Sequence, residues 1–242
     1  GICDIVLPEV SALQDTVDEH RRHKDVYEHT LTVLQQAMDL ETGPDGAVPG
    51  PDLRLRLAAL MHDIGKPATR RFMPDGTVTF HAHDYVGARM TAKRMRALHF
   101  DKQTIKDVSR LVELHLRFHG YADSPWSDSA VRRYVTDAGP LLARLGCLTR
   151  ADVTTGNRRK AAMLSHAYDD LERRIEALRQ QEELAAIRPE LDGQEIMTEL
   201  GIKPGPEVGK AYKFLLDLRM ERGPIGKELA REALHSWWAT QQ

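Results

Sequence analysis

From Leu53 to Met61 the chain is apolar except for Arg54 and Arg56, and it runs directly into His62-Asp63-Ile64-Gly65-Lys66-Pro67. Such a stretch reads as a buried helix, with Gly65 and Pro67 as its stop signal. The pattern predicts a helix from Leu53 to Ile64 with His62 and Asp63 on its last turn, inside the core. Burying an adjacent imidazole and carboxylate is costly unless something pairs with them. A divalent cation is the obvious partner, and the negative end of the helix dipole favours it further. The bland alternative has His62 capping the last turn and Asp63 pairing with an arginine.

A chain of 242 residues can build one large or two small domains around a substantial core. With 34 Lys and Arg against 36 Asp and Glu, its net charge of -2 argues against retention on nucleic acid by bulk charge, although local basic patches stay open. Cys3 and Cys147 make neither a disulfide framework nor a zinc-finger spacing, which suits a reducing cytosol. No run approaches the roughly 20 apolar residues that span a bilayer, and no signal peptide is legible, so the expectation is a cytoplasmic protein without membrane partners. Eleven histidines are many for this length, and their placement is informative.

Taken in order, a short helix from about Glu9 leads into a charged segment whose His20 to Lys24 run reads as exposed surface. Val26, Thr30, Val33, Ala37 and Leu40 keep helical spacing, so Asp25 to Leu40 is expected to be a helix with His29 on its apolar edge, where a lone histidine is ordinarily a core residue. Pro74-Asp75-Gly76 predicts a small hairpin or an irregular excursion, the only strand-like stretch. Helices are expected from about Asp84 to Leu98 and from Thr104 to Phe118. The latter would carry His115 and His119 at i, i+4 on one face, a metal-ligand spacing or a surface coincidence. A helix capped by Ser127 or Asp128 follows, and then an apolar helix from Leu141 that runs into Asp152. That carboxylate could equally pair with Arg150, Arg158 or Arg159. Residues 157–184 form a long charged helix. Near the end, free amides after Gly205-Pro206 could hold a phosphate with Lys203 and Lys210, or the segment is a capped helix-turn-helix packed by Trp237-Trp238.

His29, His62, Asp63, His83, His115 and Asp152 each fall near the end or inner face of an expected core helix. A mixed imidazole and carboxylate set suits manganese, iron, magnesium, nickel, cobalt or zinc. The order His, His-Asp, Asp, with Gly65-Lys66-Pro67 directly after the pair, resembles the HD superfamily of metal-dependent phosphohydrolases. The likeness extends to Tyr27-Glu28-His29-Thr30, Leu60-Met61-His62-Asp63-Ile64-Gly65-Lys66-Pro67, Phe80-His81-Ala82-His83-Asp84-Tyr85-Val86-Gly87-Ala88, Leu111-Val112-Glu113-Leu114-His115 and Leu148-Thr149-Arg150-Ala151-Asp152. These segments, and the tail from Leu191 to Gly223-Pro224, are similar to the HD and body region of bacterial, actinobacterial-type CCA-adding tRNA nucleotidyltransferases. That family's nucleotide-adding head, with its Gly-Ser turn and paired aspartates, has no counterpart in these residues, so nucleotide addition is not expected of them.

The resemblance implies an all-α fold, with an HD domain over 1–157 and a helical extension over 158–242. It implies that His29, His62, Asp63 and Asp152 hold a first metal and that Asp63, His83 and His115 serve a second. Lys66, Arg117 and His119 would meet substrate, with Asp63, Lys66, His83 and His115 acting in catalysis. The expected activity is hydrolysis of a phosphomonoester or cyclic phosphodiester on a nucleotide or RNA end, with activity falling as pH drops through about 6 because histidine ligands must be neutral. A non-catalytic tRNA-binding module with a structural metal is the alternative, and a di-iron oxygenase a distant third. Oligomeric state is not legible.

Overall fold

Apolar spacing and side-chain caps explain most helix boundaries in the computed structural model, which describes residues 1–16, 26–121, 124, 126–182 and 187–241. The expected exposed run His20 to Lys24 lies outside the described residues. In chain order the elements are α1 (Ile2–Val6), α2 (Pro8–Ser11), α3 (Val26–Asp39), α4 (Leu53–Met61), α5 (Lys66–Thr69), the strands β1 (Arg71–Phe72) and β2 (Val78–Thr79), α6 (His83–Ala97), α7 (Lys102–Leu114), α8 (Asp128–Ala138), α9 (Leu142–Ala151), α10 (Arg158–Gln181), α11 (Gly193–Leu200), α12 (Pro206–Arg222) and α13 (Lys227–Ala239). Among the described residues the fold is all-α apart from a two-residue antiparallel ladder, Arg71 opposite Thr79 and Phe72 opposite Val78, and an isolated bridge between Thr42 and Pro49. No helix among the described residues is long and apolar enough to cross a membrane. Two compact units divide the chain: Gly1–Asp123 with Pro140–Tyr168, and Ser124–Gly139 with Asp169–Gln242.

In the first unit α4 is the central helix, packed by α3, α7 and α9. Leu55, Ala58, Ala59 and Met61 are all buried, as expected of a helix with no polar face. The carboxylate of Asp52 caps its start, accepting from the Leu55 amide at 2.8 Å, and is itself held by Arg144 at 2.7 Å. The two charges within α4 point outward to acids: Arg56 forms a two-pronged pair with Glu41 and Arg54 reaches Asp107 at 3.2 Å.

The end of α4 differs from the sequence expectation. The helix stops at Met61 instead of continuing to Ile64, leaving His62 as its cap and Asp63 in the turn beyond. Tight i to i−3 bonds take over there, Ile64 N–H to the Met61 carbonyl at 3.3 Å and Lys66 N–H to the Asp63 carbonyl at 2.9 Å. The turn is pressed against the start of α6: a Cβ on Gly65 would lie 2.1 Å from the His83 carbonyl oxygen and 2.7 Å from the Gly87 nitrogen. Only glycine permits that approach, and it brings the His62-Asp63 turn alongside His83.

The expected continuous helix through Phe118 is also corrected. The α-helix ends at Leu114, and His115–Phe118 form a 3₁₀ turn. At about three residues per turn, residues i and i+4 no longer share a face. His115 is accordingly buried while the His119 side chain is 62% exposed.

The second unit has its own core, Leu191, Ile196, Ala211, Leu215, Ala230 and Leu234, between α11, α12 and α13. Asp192 begins α11 with a capping box to Glu195, and Trp237 stacks on Phe214 with ring centroids 4.9 Å apart. That packing is the helix-turn-helix arrangement expected of the tryptophans. Lys203 and Lys210 are both exposed.

Candidate metal centre

Four histidine rings form a contiguous series in the first unit, with centroids 5.3 Å apart from His29 to His62, from His62 to His115 and from His115 to His83. Three are oriented by one local device. The Nδ1 atoms of His62, His83 and His115 lie 2.8, 2.9 and 2.6 Å from the carbonyls of Ala59, Phe80 and Val112, each three residues earlier in the chain. A carbonyl only accepts, so each Nδ1 donates a proton, and in the neutral ring the lone pair then sits on Nε2. Hydrogen bonding at one ring nitrogen thus decides what the other can bind. His29 is oriented differently, its Nδ1 lying 2.9 Å from Thr154 Oγ1. Sequence reasoning missed Thr154, and a hydroxyl in a loop 125 positions away carried no signal that could have revealed it.

The Nε2 atoms converge with two carboxylates. His29 Nε2 is 3.1 Å from Asp152 Oδ1, 3.5 Å from Asp63 Oδ2 and 3.3 Å from His62 Nε2. His62 Nε2 lies 3.3 Å from Asp63 Oδ2 and 3.5 Å from Asp152 Oδ1. The other Asp63 oxygen is 3.3 Å from His83 Nε2. Ligand atoms thus group as His29, His62 and Asp152, and as Asp63, His83 and His115, within 4.8 Å of one another in each set. All six candidate ligand residues are brought together, and Asp152 faces histidines where arginine partners were the alternative.

Charge and burial pull against one another throughout the centre. Burial alone would drive the His62 pKa down, but Asp63 and Asp152 together hold it up at about 10. Burial likewise resists ionisation of Asp63, yet His62 and Lys66 hold its carboxyl well below the usual range. Asp152 is held low against burial by His119, His29 and His62. His115 moves the other way, to about 4, through burial and then the His62 charge, so its imidazole is neutral. Among the described residues the buried Nε2 atoms of His83 and His115 have no hydrogen-bond partner. Buried polar atoms are rarely left so. The partnerless Nε2 atoms of His83 and His115, with two carboxylates gathered among the four imidazoles, fit a divalent cation.

The remaining candidates ring this centre unequally. Lys66 Nζ lies 2.8 Å from Asp63 Oδ2 and 5.6 Å from the centroid of the Phe80 ring, so it neutralises the carboxylate in the protein itself. His119 Nε2 is 3.8 Å from Asp152 Oδ2, at the exposed edge. Arg117 is exposed on the same 3₁₀ turn as His115.

The HD domain family model matches residues 26–157 of this chain. Over 244 residues, all of this chain and 53% of the relative, it is 34% identical to the A-adding tRNA nucleotidyltransferase of Deinococcus radiodurans. It is 35% identical over 241 residues to the CC-adding tRNA nucleotidyltransferase of Thermus thermophilus, covering 98% of this chain and 50% of that one. A multifunctional CCA protein of Neisseria meningitidis matches less, 34% over 124 residues, 49% of this chain and 25% of its own. The chain therefore spans about half the length of the two relatives it matches throughout.

Proposed function

Because the chain belongs to the HD domain family, we propose that its histidine and carboxylate centre hydrolyses a phosphate ester on a nucleotide, a cyclic nucleotide or an RNA end. One observation carries this reading: the Nε2 atoms of His29 and His62 converge with carboxylate oxygens of Asp63 and Asp152 at 3.1 to 3.5 Å, so that the four can turn lone pairs to one cation once His62 gives up its proton. In this reading those four residues hold one divalent ion, with Asp63, His83 and His115 available to a second. Manganese, iron, magnesium, nickel, cobalt and zinc all suit such ligands. A bound cation there supplies charge neutralisation for a phosphoryl oxygen and a lowered pKa for water.

The chain's own residues do the rest. His62 enters the bound state neutral, giving up the proton it carries beside the two carboxylates. Lys66, relieved of neutralising Asp63, meets the substrate phosphate as a point charge. His119, exposed beside Asp152, is placed to return a proton to the leaving oxygen, and Arg117 offers a second cation to the phosphate. The HD region to residue 157 carries this chemistry, and residues 158–242 serve as a body that touches RNA.

Similarity to two tRNA nucleotidyltransferases along nearly the whole chain favours a second reading, a tRNA-binding module in which the metal is structural. Metal analysis of protein purified without chelator, followed by a phosphate-release screen over nucleotides, cyclic nucleotides and RNA ends, separates the two. Hydrolysis that requires both metal and Asp63 supports the first. Metal-loaded protein that binds RNA, releases no phosphate and keeps its RNA affinity in Asp63→Asn supports the second.

A further inference from the structure

Lys66 opens α5 at the end of the His62-Asp63 turn, and Phe80 lies beyond the hairpin, just before α6. Between them the chain leaves the core, where Phe72 is 73% exposed, and Phe80, at 3%, marks its return. Two groups of Phe80 then face the centre. Its carbonyl accepts from the His83 backbone N–H at 3.2 Å and from His83 Nδ1 at 2.9 Å. Its ring lies beneath the Lys66 ammonium, with Nζ 5.6 Å from the centroid. That distance is within the range, about 6 Å, over which the negative face of an aromatic ring attracts a cation.

The ring matters because Lys66 shares its other contact with the proposed ligands. Its ammonium lies 2.8 Å from Asp63 Oδ2, the oxygen that also faces His29 at 3.5 Å and His62 at 3.3 Å. Once that oxygen turns to a divalent ion its hold on the ammonium weakens, and a long flexible side chain regains rotamer freedom that favours leaving. A carboxylate at position 80 would keep the ammonium there but cancel its charge. A leucine would fill the space and hold nothing. A π face attracts the ammonium while leaving its positive charge for an incoming anion.

We infer that Phe80 is a positioning residue, whose ring keeps the Lys66 ammonium beside the centre and available to an anion while its carbonyl fixes His83. The inference rests on the phosphohydrolase reading for the identity of that anion, and on the ring and ammonium geometry for how Lys66 is held. Phe80 itself touches neither the metal ligand atoms of Asp63 nor the reacting phosphate; it acts through Lys66.

The test uses the full chain loaded with manganese, titrated with inorganic phosphate in a calorimeter, with Phe80 replaced by ring-fluorinated phenylalanines that keep its shape and weaken its negative face. Phosphate affinity should fall stepwise with added fluorine, by about threefold to tenfold across the series. In Lys66→Met the same series should be flat, which marks an effect transmitted through the ammonium. Manganese content should stay constant throughout, because the backbone carbonyl that orients His83 is unchanged. Phosphate affinity indifferent to fluorine, a decline that persists in Lys66→Met, loss of manganese with fluorination, or no saturable phosphate binding each overturns the assignment. Should the series behave as expected while no ester releases phosphate, Phe80 stands as the holder of Lys66 and the hydrolase reading falls. Should esters be hydrolysed while the series is flat, the hydrolase reading stands and the role of Phe80 falls.

Discussion

Around Glu182 in the second unit, buried charges are matched within the protein, whereas around Asp63 in the first they are not. One Glu182 oxygen accepts from Arg132 Nε at 2.8 Å and the other pairs with Arg219 at 3.0 Å, while Arg132 also donates to the Met220 carbonyl at 3.2 Å. Two guanidiniums bring many donors and a fixed positive charge, so the carboxylate is compensated by the chain alone. Around Asp63 and Asp152 the partners are imidazoles, which donate or accept according to protonation, and Lys66 is the sole permanent cation within ion-pair distance of Asp63 among the described residues. A closed ion network and a ligand site differ in the ratio of donors to acceptors, not in how many charges are buried.

The sharpest way to break that comparison is to remove the shared carboxylate. Asp63→Asn should abolish phosphate release and bring the metal content, read by elemental analysis, close to zero. Retained metal at wild-type stoichiometry would contradict the roles proposed for these ligands. In the second unit Glu182→Ala strands two arginines and should cost about 3–5 kcal/mol of stability in denaturant melts, with metal content unaltered. Chelation should affect the first unit alone. With free metal at about a hundred times its dissociation constant, adding chelator should remove about 2.7 kcal/mol. Hydrogen exchange should then quicken in α4 and α9 and stay constant in α12 and α13.

Two smaller effects sharpen the picture. Thr154→Ala frees His29 Nδ1 and should weaken metal binding about tenfold, as loss of an outer hydrogen bond to a ligand does, without unfolding the chain. The pH dependence follows from His62. Its pKa is raised to about 10 in the metal-free protein, so the proton is present at neutral pH and lost only as pH rises through that value. Metal binding must displace it, so affinity should rise about tenfold per pH unit through the neutral range, with about one proton released per ion. Calorimetry in buffers of different ionisation enthalpy measures this. The effect moves the acid limb expected from ordinary histidines near pH 6 to higher pH for metal loading, and heats independent of buffer would refute it.

Much of the first unit was legible because its signals are local. The apolar run into His62-Asp63 and the 3.6-residue spacing of Val26 to Ala37 each depend on residues within one or two turns, as does the Ser127 cap in the second unit. The candidate ligands were legible for a related reason: ionisable side chains at the ends of otherwise apolar helices stand out when the chemistry that would justify them is asked for. The two misplaced helix ends, at Met61 and Leu114, share a cause. Periodicity reports where apolar residues recur, and it is blind to a change from α to 3₁₀ geometry at the last turn. That change is what buries His115 and exposes His119.

By itself the sequence determined an all-α chain, the cap of α8 at Ser127 and a set of candidate cation ligands. Only the tertiary structure decided that His29 would meet Thr154, that Gly65 would press Asp63 against His83, and that Ser124–Gly139 would group with the C-terminal unit. Helix formation and capping are settled over a few residues by backbone hydrogen bonds and side-chain entropy. The meeting of groups more than a hundred positions apart is settled by how whole helices pack, and no local pattern encodes that register.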